Sequence, residues 1–215
     1  MSSAYPNGEA TDKAIREAAV RIFAKHGFEA ASLREIAKDV GIQAPSLYNY
    51  ISSKEKLLFE LMKVPLTAML DEYKGLVEGV DDPAARLRAF VQVHLNFHLH
   101  SQLEVFIGNM ELRSLTTAHY RTINGLRDEY ARLLQSIIED GAKAGMFDAP
   151  NPRMMALTML SMLSGVCNWY QPGGAMSAAK VTELHTELAF RMLNAKPSRE
   201  DARPSRNKPS REKVA

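Results

Sequence analysis

Residues 32–58 read SLREIAKDVGIQAPSLYNYISSKEKLL, and this stretch decides the fold. Ser32 is suited to cap a helix, with Glu35 three residues on as its reciprocal partner. Leu33, Ile36, Ala37 and Val40 then fall on one face at helical spacing. Gly41 ends that helix, because glycine takes a left-handed backbone at little cost. Pro45 suits the first turn of a second, short helix, where its missing N–H does no harm. Leu47 and Ile51 point back to a small core, which leaves Gln43, Ser46, Tyr48, Asn49 and Tyr50 facing outward. Ser52 or Ser53 caps a further helix that begins at Lys54. Two short helices around such a turn form a helix-turn-helix, a unit whose second helix enters the DNA major groove.

On the N-terminal side, Thr11 is expected to cap a helix running to about His26. Its apolar face is Ile15, Ala18, Ala19, Ile22 and Phe23, and Gly27 stops it. That face is narrow, so this helix supports the helix-turn-helix rather than standing alone. On the C-terminal side, the helix from Lys54 carries Leu57, Leu58, Leu61 and Met62. It is expected to kink at Pro65, where a hydrogen bond is lost, and to resume through Tyr73. A long helix leaving a reading head is a mechanical connector.

Asp82-Pro83 pairs a cap with a first-turn proline and opens a helix with Leu87, Phe90, Val91, His94, Leu95 and His98 inward. Ser101 and Glu104 are read as a second capping box. A long helix is expected from about Thr117 to Lys143. Asn151-Pro152 opens another, almost uncharged from Met154 to Tyr170, which implies burial on all sides. Ser177 caps a last helix with Val181, Leu184, Leu188 and Met192 on one face. No run of strand period survives, so the fold class is all-α with about nine helices.

Composition agrees: 46% of the 215 residues are hydrophobic, enough for a substantial core in one large or two small domains. A single cysteine, Cys167, excludes an internal disulfide and fits a reducing cytoplasm. No stretch reaches a membrane span and the first ten residues show no signal-peptide pattern, so no membrane partner is expected. The net charge of +2 hides an asymmetry: residues 196–215 hold seven basic and three acidic side chains, whereas residues 1–56 hold eight and seven. A DNA-binding reading therefore rests on positions, not on bulk charge. The expected organisation is a flexible arm at 1–10, a DNA-binding head at 11–62, a ligand-binding and dimerisation body at 63–195, and a disordered basic tail at 196–215. Pro-Ser-Arg occurs three times in that tail, and its few apolar residues cannot offset ordering entropy.

Phe23, Gly27, Phe28, Ser32, Ile36, Ala37, Gly41, Leu47, Tyr48, Tyr50, Ser53, Lys54, Glu55 and Leu57 together resemble the TetR family of bacterial transcription regulators. Two departures stand out. Ile51 follows the aromatic pair where the family usually has phenylalanine, and Pro45 stands where glycine is frequent. The resemblance implies a homodimer reading a palindromic operator in double-stranded DNA and answering a small-molecule effector. Asn168-Trp169-Tyr170-Gln171-Pro172-Gly173-Gly174, with Glu111 to Leu115 and Arg127 to Tyr130, is similar to members that respond to acyl-CoA thioesters.

Carried over from the family, the DNA-contact candidates are Gln43, Ser46, Tyr48, Asn49 and Tyr50, completed by Ser32, Arg34, Ala44 and Lys54. Asn and Gln amides can pair with adenine edges, while Tyr and Ser hydroxyls suit phosphates. Lys54, in the first turn of its helix, is assigned to phosphate. The bland alternative is a set of exposed polar residues on a short helix. In the body, the ligand candidates are His94, Phe97, His98, Phe106, Met110, Arg113, Met162 and Trp169. Met154, Met155 and Met159 either extend a plastic pocket or are ordinary core. His94 and His98, four apart on one helix face, line a pocket, fill the core, or chelate a metal. Arg113 either pairs at the surface or holds an anionic group of a ligand. An enzyme on this scaffold has no support: there is no paired-carboxylate metal motif, nucleophile constellation or phosphate loop. A dimeric binding protein with a vestigial head remains a second alternative.

Overall fold

The computed structural model describes residues 8–195, so the expected arm before Gly8 and the basic tail after Ala195 lie outside the described residues. Nine α-helices and no strand occur among them: α1 Gly8–His26, α2 Leu33–Val40, α3 Ala44–Leu47, α4 Lys54–Leu76, α5 Pro83–His100, α6 Gln102–Met110, α7 Thr117–Lys143, α8 Pro152–Ser164 and α9 Ala178–Met192. Short 3-10 turns at Leu112–Ser114 and Gly165–Asn168 follow α6 and α8.

Single residues set most of the boundaries. Ser32 and Ser53 Oγ accept the N–H groups of Glu35 and Lys56, and Ser177 accepts that of Lys180. Asp82 accepts from Ala84 and Ala85, and Asn151 from Met154. Such caps satisfy N–H groups that a helix leaves open at its start. Gly41 closes α2 at φ 77°, with the Ile42 N–H returning to Ala37 O at 2.9 Å.

Three expectations about helix starts are corrected. α1 begins at Gly8, before the expected Thr11, whose side chain is buried within the helix. Ser101 makes no side-chain cap for α6; its N–H returns to Phe97 O, so the end of α5 runs directly into α6. The Glu35 carboxylate, expected to close a capping box, lies instead 3.4 Å from His26 Nε2.

Two apolar clusters divide the molecule. The head cluster joins Ile15, Phe23, Ile36, Leu47, Ile51 and Leu58, and reaches Ile107 of α6 and Ile123 of α7. The body cluster joins α4, α5, α7, α8 and α9 around Phe90, Leu134 and Met159. α4 belongs to both and passes through Pro65 as one 23-residue helix. Pro65 has no N–H for the Leu61 carbonyl, so the connector lacks one hydrogen bond at mid-length. α8 is not buried on all sides within one chain, because Met154 and Leu157 are exposed, as is Leu188 of α9. Its regular helix also stops at Ser164, short of the expected Tyr170.

Candidate nucleic-acid interface and effector cavity

α3 is a single turn continued by tight i to i−3 hydrogen bonds from Tyr48, Asn49 and Tyr50 to Pro45, Ser46 and Leu47 carbonyls. Leu47 and Ile51 anchor this turn in the head core. The same anchoring turns Gln43 and Asn49 fully outward, with Tyr48 60% exposed. Ala44, Ser46 and Tyr50 are half-buried at the edge, and Tyr50 packs against the head cluster. Arg34 is exposed on α2 with no ion-pair partner among the described residues. Ser32 Oγ is engaged as the α2 cap.

Lys54 is placed differently from the expected phosphate contact. Its ammonium lies 4.3 Å from the Phe28 ring centre and donates to the carbonyls of Phe28 at 2.7 Å, Ala31 at 3.0 Å and Glu29 at 3.4 Å. All three acceptors lie in the loop between α1 and α2, which this one ammonium closes. Other basic residues of the head are likewise occupied: Arg16 bonds Asp12 and Glu60, and Arg21 bonds Asp39 at 2.7 Å. The outward turn is thus mostly neutral amide and hydroxyl, a surface suited to hydrogen bonding at base edges and phosphates.

Two carboxylates tie the head to the body. Glu111, buried at the end of α6, accepts the Phe28 N–H at 3.1 Å and the Ser114 hydroxyl at 3.0 Å. Glu55, in the first turn of α4, accepts the Thr116 N–H at 2.9 Å and His119 Nδ1 at 2.8 Å. Burial alone would raise the Glu55 pKa, but these bonds outweigh it and hold the carboxyl below its ordinary value. His119 also stacks on Phe59 at 3.8 Å.

Beneath the connector lies a cavity of about 250 Å³. α4 contributes Leu61, Met62, Pro65, Leu66 and Met69, α5 Phe97 and His98, and α6 Glu104, Val105, Gly108 and Asn109. α7 adds Arg127 and Tyr130, and α8 adds Leu160 and Ser164. Of the ligand candidates, Phe97 and His98 line it. His94 is one layer deeper, stacked on His98 at 3.8 Å with its Nε2 3.1 Å from Ser164 Oγ. Phe106 and Met110 are 48% and 55% exposed on the outer face of α6. Arg113 is exposed on the following 3-10 turn. Met162 packs against the body core, and Trp169 stacks on His185 outside the cavity. The methionines that do line it, Met62 and Met69, belong to α4.

The metal alternative finds no geometry. His98 Nδ1 bonds the His94 carbonyl at 2.8 Å, and the two rings lie face to face. Among the described residues no group of three His, Cys, Asp or Glu side chains could hold a metal ion. Burial pushes the His98 pKa down to about 4, and burial with the neighbouring His98 pushes His94 well below its ordinary value. Both rings are neutral at physiological pH. Cys167 Sγ bonds the His98 carbonyl, and burial pushes its pKa up, so it stays a thiol.

Arg127 and Tyr130 were missed as ligand candidates, yet they supply the polar end of the cavity. Their signal is in the sequence: Ile123, Arg127, Tyr130 and Leu134 follow one helical stripe, with a cation at an inner position.

These features define an all-helical helix-turn-helix protein with a cavity under its connector helix. Residues 15–61 match the bacterial regulatory proteins of the tetR family, and residues 80–193 match the tetracyclin repressor-like C-terminal domain. The chain belongs to the TetR family of transcription regulators. It is 27% identical over 178 residues to the HTH-type transcriptional repressor KstR2 of Rhodococcus jostii (strain RHA1), covering 82% of this chain and 87% of that one. A crystal structure of a tetR-family regulatory protein from Rhodococcus RHA1 superposes with TM-score 0.79 at 26% identity, over 87% of this chain and 98% of that chain. AibR, solved with isovaleryl coenzyme A and operator DNA, shares the fold with TM-score 0.75 at 23% identity, over 86% and 100% of the two chains. Among the described residues no helix is long and apolar enough to cross a membrane.

Proposed function

We propose that this protein is a homodimeric repressor that grips a palindromic operator and is released by a small molecule bound in the cavity under α4. The observation that carries this reading is the position of Pro65. It lines the cavity and leaves the connector one hydrogen bond short at that level. A molecule in the cavity presses on the connector where it is most easily bent. The head follows, because Glu55 and Glu111 fasten it to the starts of α4 and α7 and the end of α6. The effector acts by binding one head spacing better than the other.

The exposed apolar residues of α8 and α9, Met154, Leu157 and Leu188, support pairing of these helices across a two-fold axis into a four-helix bundle. Such a pair holds two heads about 34 Å apart, one turn of DNA. Base edges are read by Gln43 and Asn49, with Tyr48, Ser46, Tyr50 and Arg34 on base or backbone and Ser32, Ala44 and Lys54 shaping the surface. The effector class is an acyl-CoA thioester, in keeping with the Asn168 to Gly174 stretch and with the likeness in fold to AibR, which was solved with isovaleryl coenzyme A. A cavity of about 250 Å³ holds an acyl group and leaves the nucleotide outside.

The test is a gel shift on DNA from upstream of the protein's own gene, with rising salt and with a panel of acyl-CoAs. Affinity that falls steeply with salt supports phosphate-gripping heads. Salt-independent affinity removes DNA binding from the account, and retention of the complex with every thioester removes the effector class.

A further inference from the structure

The cavity under α4 is apolar along most of its wall, yet Arg127 stands in it without a carboxylate. Its Nη2 donates to Gly108 O at 2.7 Å and Asn109 Oδ1 at 3.3 Å, both neutral acceptors. No ion pair joins it to Glu104, the one acidic residue of the lining. Arginine stays charged in proteins, and burying that charge is costly unless an anion faces it. Tyr130, on the same stripe one turn along, has its hydroxyl buried with no hydrogen-bond partner. His98 Nδ1 carries its hydrogen to the His94 carbonyl, which leaves Nε2 as an acceptor. The apolar lining includes Leu61, Met62, Leu66, Met69 and Leu160. We infer that the cavity selects an apolar chain attached to an anionic group, with the anion on the Arg127 guanidinium and the Tyr130 hydroxyl as a second polar contact. This rests on the reading that the cavity is the effector site and adds the charge of the effector.

Two sources supply this chemistry: a free carboxylate, or an acyl-CoA whose phosphates reach Arg127 from the mouth. Calorimetric titrations with octanoate, octanamide and octanoyl-CoA separate them, using the wild type, Arg127→Gln, Arg127→Lys and Leu160→Trp. Unfolding curves without ligand confirm that each variant folds. A charge-assisted hydrogen bond makes the wild type bind octanoate about tenfold or more tighter than octanamide. Arg127→Gln erases that preference and Arg127→Lys keeps part of it. Octanoate binding that depends on Arg127 assigns the anion to a carboxylate. Arg127-dependent binding of octanoyl-CoA alone assigns it to the phosphates. Equal affinity for acid and amide with no Arg127 dependence for the thioester, or binding of neither anionic probe, overturns the inference. Leu160→Trp fills the cavity and abolishes binding. Binding that survives Leu160→Trp defeats the effector-site reading itself, whereas loss there without Arg127 dependence defeats only the charge selection.

Discussion

In the head, the carbonyls of Phe28, Glu29 and Ala31 are met by the Lys54 ammonium, and the Phe28 N–H is met by Glu111. In the body, Thr67 Oγ1, His94 Nδ1 and the Tyr130 hydroxyl are buried with no hydrogen-bond partner. A buried polar atom without a partner costs roughly 1–3 kcal/mol. The head is thus satisfied as it stands and holds one shape, as a surface that must match a groove requires. The body keeps open valences around and behind a cavity, and a guest molecule can complete those that face it.

The largest expected effect breaks the head alone. Leu47 is fully buried beneath the outward turn, and Leu47→Ala should remove about 2–5 kcal/mol through the cavity it leaves. DNA binding should vanish in a gel shift while ligand binding by the body persists. Simultaneous loss of both would show that the two regions unfold as one unit.

Acid should act on the body first. His98 has a folded pKa of about 4, below its ordinary value of 6.5. Below pH 6.5 the unfolded chain takes up a proton that the folded chain refuses, so stability falls with pH and levels off below about 4. The loss from this one group is on the order of 3 kcal/mol. Urea titrations from pH 7 to 4, followed by fluorescence of Trp169, measure it. A profile left equally steep by His98→Gln would remove the buried ring as its cause.

Packing density offers a third lever. A Cβ at Gly141 would lie 2.0 Å from the Phe147 ring. Gly141→Ala should therefore lower the body's stability by about 1–3 kcal/mol despite alanine's better helix propensity. A raised melting temperature would mean the ring moves aside freely. The smallest effect is at the α2 cap, where Ser32→Ala should cost about 1 kcal/mol. Denaturant midpoints of the head report it, and no change would show Ser32 Oγ free for other contacts.

The elements most legible in the sequence are those fixed by one side chain acting on its neighbours. Ser32, Ser53, Asp82, Asn151 and Ser177 cap the helices they were expected to cap. Leu47 and Ile51 anchor the turn because their spacing leaves no other inward positions. The capping box at Ser101 failed because α5 continues to the Ser101 N–H, leaving no free helix start to cap. The cavity was legible only in part. Periodicity tells which face of a helix turns inward, not the height at which five helices part around a void. Phe97 and His98 were placed there, but Phe106 and Met110 face out from α6. Met62, Met69, Arg127 and Tyr130 took their places because α4 and α7 cross at that level.

The Glu111 carboxylate also has a consequence for biosynthesis. It reaches back 83 positions to the Phe28 amide, and Glu55 waits 61 positions for Thr116 and 64 for His119. A ribosome delivers the chain from its amino end, so the reading unit is complete in sequence well before these partners emerge. Prematurely terminated products would carry a Phe28 loop held by Lys54 alone, without its Glu111 contact, and full-length molecules would hold the advantage at shared operators.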